Sequence, residues 1–271
     1  MTPEDAAVEE PTAARSGYLA TTEWSLPQFI LVFATGIVAA VAATAAALVI
    51  WGQDLSVSVF AFVFGVQGGA SFLAMVVLSR TRGTGSLARD FGLRLRLGDF
   101  WAVFAGMGLQ IAVALMMAPL IQLLYPDGPP SQEVAELTSE SSTVLDGVLI
   151  IVMVGLVAPL VEEMMFRGML LARASRSMRI AWAVVVTSAV FAGVHLLDPN
   201  AIAALPGLFI IGVVLAIVAV RRGDLSLAIP IHAGVNLTAA LILVFGDQIA
   251  DRLTDLQENL EQVEAVVRAL L

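Results

Sequence analysis

The chain has 271 residues, 59% of them hydrophobic and only 14% charged, and its mean hydropathy is +0.90. A soluble domain carries about 25% charged residues, so this composition excludes one and identifies an integral membrane protein. Cysteine is absent, which excludes disulfides, thiol nucleophiles and thiolate metal sites; every basic residue is an arginine, the formal net charge is -9, and no basic cluster offers a footprint for nucleic acid.

Residues 1–26 form a polar, acidic N-terminal tail, with Glu4, Asp5, Glu9 and Glu10 against Arg15 alone. That charge is wrong for a secretory leader, and the segment is read as a cytoplasmic tail with no packed structure. A spanning helix needs about 20 apolar residues. Seven such runs follow, at 28–51, 56–79, 100–124, 145–172, 180–197, 202–220 and 227–246. All are expected to be helical, because backbone groups in lipid must be bonded within their own segment. The fold class is therefore all-α, a polytopic bundle of about seven transmembrane helices.

The runs divide into a three-helix membrane region (27–142) and a second membrane core (143–246). After Gly246, the residues Ile249, Leu253, Leu256, Leu260, Val263, Val267 and Leu270 recur at alternating spacings of four and three. Residues 247–271 thus read as an amphipathic heptad helix, suited to packing on the protein's own surface or to pairing with a second copy in a homo-oligomer.

Arginine placement sets the orientation. Arg80, Arg82, Arg89, Arg94 and Arg96 follow the second span, Arg173, Arg176 and Arg179 the fourth, and Arg221 and Arg222 the sixth. The alternate loops carry none. The loop after the third span is acidic and proline-rich instead, with Pro126, Pro129, Pro130, Glu133, Glu136 and Glu140. The alternation predicts a cytoplasmic N-terminus.

A charged side chain at the bilayer centre costs roughly 2.5 to 3.5 kcal/mol, so each polar residue inside a span needs a reason. Glu162, Glu163 and Arg167 lie in the fourth span, His195 late in the fifth, and His232 and Asn236 in the seventh; the two histidines are the only ones in the chain. Glu163 and Arg167 are four apart and share a helix face, as an ion pair requires. Glu162 is rotated about 100° away and points elsewhere. His232 and Asn236, also four apart, project together. Counted outward from the turn at Ser177–Met178, Glu162 and His195 lie equally far along two antiparallel arms, which predicts similar depth.

Two chemistries fit these residues. A carboxylate in an apolar pocket beside a histidine can hold and activate water for attack on a carbonyl, while His232 and Asn236 donate to the developing oxyanion. Alternatively Glu162, His195 and His232 supply the two imidazoles and one carboxylate of a catalytic zinc site. The helical His-Glu-x-x-His signature of zinc proteases is absent.

Read together, Glu162-Glu163-x-x-x-Arg167, Phe191-x-x-x-His195 and His232-x-x-x-Asn236 resemble the CPBP (Abi) family. That family includes the type II CAAX prenyl endopeptidases and bacterial immunity proteins, and the resemblance covers residues 143 to 246. It implies an intramembrane peptidase, usually labelled a metalloprotease, acting on a membrane-associated protein or peptide. Glu162 and His195 would activate water, His232 and Asn236 would stabilise the oxyanion, and Glu163 and Arg167 would support the site. Composition rich in Ala, Val, Leu, Gly and Arg suggests a bacterial plasma membrane. The alternative reading is a non-catalytic immunity or regulatory scaffold, which a Glu162→Gln variant would leave working. A proton-coupled transporter is disfavoured, because no internal repeat marks a path.

Overall fold

The computed structural model describes residues 17–21, 23–52, 56–128 and 143–270. Residues 1–16 of the acidic tail and most of the acidic loop after the third span (129–142) lie outside them.

Seven helices are long and apolar enough to cross a membrane. They are α1 (Leu26–Trp51), α2 (Val57–Arg82), α3 (Ala102–Leu124), α4 (Val144–Ser177), α5 (Ile180–Gly193), α6 (Leu205–Arg222) and α7 (Ala228–Leu270). Among the described residues there is no strand. Local sequence sets the starts. Ser25 and Gln28 form a reciprocal capping box at α1, with Pro27 in the first turn, while Ser56 and Thr143 cap α2 and α4.

α1 pairs with α2, α3 with α7, and α5 with α6, while α4 touches α1, α2, α5, α6 and α7. The α3–α7 crossing depends on two glycines. A Cβ on Gly106 would strike the Ile231 carbonyl, and one on Gly234 would strike the Val103 carbonyl, so the two backbones meet where side chains are missing. Gly69 of α2 and Gly108 of α3, by contrast, face open space. α7 continues as one helix to Leu270. Leu256 on it is exposed, and the rest of the heptad seam lies outside the residues whose side chains are described.

Part of the segment read from sequence as a free tail is packed instead. Tyr18, Leu19 and Trp24 are buried. Trp24 stacks on Phe91 at 5.0 Å between centroids and donates to the Asp90 carbonyl at 2.7 Å. Tyr18 lies across Gly92, and its hydroxyl donates to the Arg167 carbonyl at 3.0 Å. Burial pushes its phenol well above the usual range, so it stays a donor. Aromatic residues near a span are amphipathic anchors, which composition averaged over the tail conceals.

The arginine-bearing loops gather at one end of the bundle. Leu225 N–H donates to the Gly92 carbonyl at 2.8 Å, and Arg96 pairs with Asp224 at 2.8 Å. Gly223 ends α6 at φ 75° and Gly92 stands at φ 74°, a left-handed conformation that favours glycine. Gly168 of α4 backs onto Phe91 at this level. The α4–α5 hairpin therefore runs nine residues, roughly 13 Å, beyond it, and Glu162 lies six residues, roughly 9 Å, within.

Candidate active site

α4 is not a uniform α-helix. Met153–Val157 and Glu163–Leu171 are wound as π-helix, flanking the α-helical turn Ala158–Glu162. Such turns bond i to i+5 and concentrate at functional sites. Ala158 N–H reaches back to the Met153 carbonyl, and the next residue, Pro159, has no N–H. The Val154 carbonyl thus loses its donor. Asn236 fills the gap from α7, its side-chain amide donating to Val154 O at 2.9 Å.

The second π segment carries the charged cluster. Glu163 is fully buried and Arg167 nearly so. Glu163 Oε1 accepts from Arg167 Nη1 at 2.8 Å and lies 2.8 Å from His232 Nδ1. Its other oxygen is buried and has no partner among the described residues. The Arg167 guanidinium also donates to the Gly212 carbonyl at 3.1 Å and lies 4.4 Å over the Phe191 ring. That contact is available because residue 212 is glycine: a Cβ there would press on Ser188 and Phe191. One Glu163 oxygen and the guanidinium are thereby paired within the protein, as burial demands.

His232 stands between the two glutamates. Its Nδ1 is held by Glu163 and its Nε2 is 3.7 Å from Glu162 Oε2. One carboxylate thus orients the imidazole, and the other meets its far nitrogen. Arg167, Glu163, His232 and Glu162 form a continuous line from the fully enclosed interior to a side chain still 25% exposed.

Glu162 opens onto a cavity of about 540 Å³ between α1, α2, α4 and the end of α5. Its walls are mostly apolar, with Phe33, Val161, Met165 and Phe166 among them; the polar groups are Glu162, His195, Gln67, Ser71 and Asp198. His195 sits on a 3-10 turn that ends α5. Its Nδ1 is 2.8 Å from the Phe191 carbonyl, an acceptor only. Nδ1 therefore carries the proton, and in the neutral ring Nε2 keeps a lone pair for another partner.

The sequence-derived residues are thus sorted into two groups. Glu162 and His195 share the cavity. Glu163, Arg167 and His232 form the buried cluster beneath it, with Glu163 orienting the imidazole as well as pairing with the arginine. Neither His232 nor Asn236 lines the cavity, and one Asn236 N–H is committed to Val154. The zinc ligand set Glu162, His195 and His232 is not assembled: among the described residues no group of three His, Asp or Glu side chains could hold a metal ion. The Phe191 ring packs against both imidazoles, at 5.2 Å from His195 and 5.7 Å from His232 between centroids, and Nδ1 of each ring is engaged by another group.

Sequence reasoning missed four residues. Gln67 and Ser71 are uncharged polar residues of the second span, which a membrane helix tolerates without a functional reason. Asp198 stands three residues after His195, between two spans. Tyr18 lay in the assigned tail, with only its rarity (two tyrosines in the chain) to single it out.

The family model described as type II CAAX prenyl endopeptidase Rce1-like matches residues 144–238. The match agrees with the three motifs, and the matched stretch contains all six of Glu162, Glu163, Arg167, His195, His232 and Asn236. No curated protein and no solved structure matches the chain.

Proposed function

From the Rce1-like match and the seven membrane spans, we propose that the protein is an intramembrane endopeptidase that hydrolyses a peptide bond of a membrane-associated protein or peptide. The observation that carries this reading is the pairing of Glu162 with His195 in one largely apolar cavity, with Glu162 backed by a buried, charge-compensated cluster. Few groups there compete for water, and a carboxylate beside an imidazole lone pair can hold one.

In the step itself, Glu162 takes a proton from water hydrogen-bonded to His195 Nε2, and the oxygen attacks the scissile carbonyl carbon. The carbonyl electrons move onto its oxygen, while His232, held by Glu163, fixes Glu162 from behind the cavity wall. Collapse breaks the C–N bond, and the proton held by Glu162 passes to the leaving nitrogen.

The site lies nearer the arginine-bearing end of the bundle. With the positive-inside rule, that is the cytoplasmic side of a bacterial plasma membrane, with the N-terminus in the cytoplasm. A substrate anchored in that leaflet, such as a peptide bearing a prenyl group, would reach it without crossing the bilayer.

The test is cleavage of a fluorogenic farnesylated CAAX-type peptide by the purified protein in liposomes. Glu162→Gln and His195→Ala are each expected to lower kcat by about 10²–10⁴-fold with thermal melting unchanged. Wild-type rates in either variant would overturn the assignment.

A further inference from the structure

The Rce1-like match ends at α4–α7, yet the cavity has a second wall, built from α1 and α2. On it Gln67 and Ser71 face the same space as Glu162 and His195. Neither side chain has a hydrogen-bond partner among the described residues, although Ser71 is 96% buried (4% relative exposure). Ser188 Oγ on α5 is likewise without a partner among the described residues, but it does not line the cavity as Ser71 does. The threonines of the same bundle return their hydroxyls to their own backbone, as Thr35 does to Leu31 at 2.8 Å and Thr187 to Ala183 at 2.7 Å.

The space before them is kept open by the neighbouring helix. Residue 36 of α1 is glycine, and a Cβ there would strike Ser71 Oγ. Gly68, beside Gln67, lies against Val157 and Val161, where a Cβ would sit 3.4 and 3.8 Å from their methyl groups. Gln67 is therefore within about one helical turn of Glu162 along α4.

We infer that Gln67 is a substrate-binding residue that holds the peptide backbone of the substrate beside the scissile bond. The inference rests on the hydrolase reading. A peptide bond reaches Glu162 only if the substrate is extended there, since a helix hides its carbonyls. Extending it frees the flanking N–H and C=O groups inside an apolar cavity, where each needs a partner. Glu162 and His195 are occupied with the water. A carboxamide matches a peptide group, because it offers an N–H donor and a C=O acceptor together, and it reads backbone whatever the substrate's side chains are. The Ser71 hydroxyl, four residues along the same face, serves the next carbonyl.

The test uses the full-length protein in detergent and a fluorescent farnesylated CAAX-type peptide, with binding measured in the inactive Glu162→Gln background. Gln67→Met keeps length and removes both polar atoms, and it is expected to raise Kd about tenfold. Gln67→Glu keeps an acceptor and falls between. In the active protein Gln67→Met raises KM by the same factor and leaves kcat within twofold, which a merely structural role would not do. The contact is then checked with peptides carrying an ester in place of each non-scissile amide in turn. One ester is expected to weaken binding about fivefold when Gln67 is present and to have no effect in Gln67→Met.

A Kd within twofold of the parent in Gln67→Met, or an ester penalty undiminished by it, overturns the inference. Peptide cleaved without dependence on Gln67 removes this inference alone. Peptide bound through Gln67 but never cleaved by the wild type removes the hydrolase reading alone. A wild type that does not bind the peptide overturns both.

Discussion

In the spanning windows of α1 to α3 only 11–22% of residues are buried, whereas in α4 to α7 the share is 28–50%. Both sets are similarly apolar, so hydropathy does not explain the difference. Lipid solvates leucine and valine as well as protein does, and a purely apolar helix gains little by being enclosed. A charge gains a great deal. Burial is concentrated around Glu163, Arg167 and His232 because lipid cannot satisfy them, and Met164, Phe166, Met169 and Phe191 close around that cluster. The first three spans enclose little: α1 and α2 give the site one wall, and α3 meets α7 at the crossing that carries His232.

This contrast is most directly broken at Arg167. Arg167→Ala leaves Glu163 buried with its charge uncompensated and should cost about 3–5 kcal/mol, read as a lowered melting temperature in detergent or failure to accumulate; an unchanged melt would mean the cluster does not organise the core. Gly106→Ala drives a methyl into the Ile231 carbonyl and should cost about 1–3 kcal/mol by overpacking. It should also lower activity, since the same crossing carries His232. The smallest effects come from hydrogen bonds and open glycines. Tyr18→Phe removes one buried bond to the Arg167 carbonyl and should cost about 0.5–1.5 kcal/mol. Gly69→Ala, facing open space in α2, should be neutral or stabilising by up to about 1 kcal/mol. If Gly69→Ala proved as damaging as Gly106→Ala, the division between an enclosed core and a lipid-facing frame would fall.

Much of this was legible in the sequence. The seven spans emerge within a few residues of their runs of apolar residues, because helix length in lipid is set by bilayer thickness. The i, i+4 relation of Glu163 and Arg167 is a property of any helix, and the π winding of this segment did not separate them. Equal distances from the Ser177–Met178 turn placed Glu162 and His195 together for a similar reason: antiparallel arms of one hairpin keep register.

What the sequence determined, then, was local: where helices lie, which polar residues lipid would reject, and which of them share a face of one helix. Only the tertiary structure decided the allocation between helices. Pro159 strips a donor from the Val154 carbonyl, and a neighbour's amide must fill it, so Asn236 is tied there. His232 takes its position from a crossing that two glycines permit, and Tyr18 docks because Gly92 leaves room for its ring and Gly17 passes against the Gly223 carbonyl. Gln67 faces the cavity of Glu162 and His195, and Gly36 holds the next helix close without covering it. Each of these depends on an atom from a distant segment being present or missing, and spacing along one chain cannot encode that.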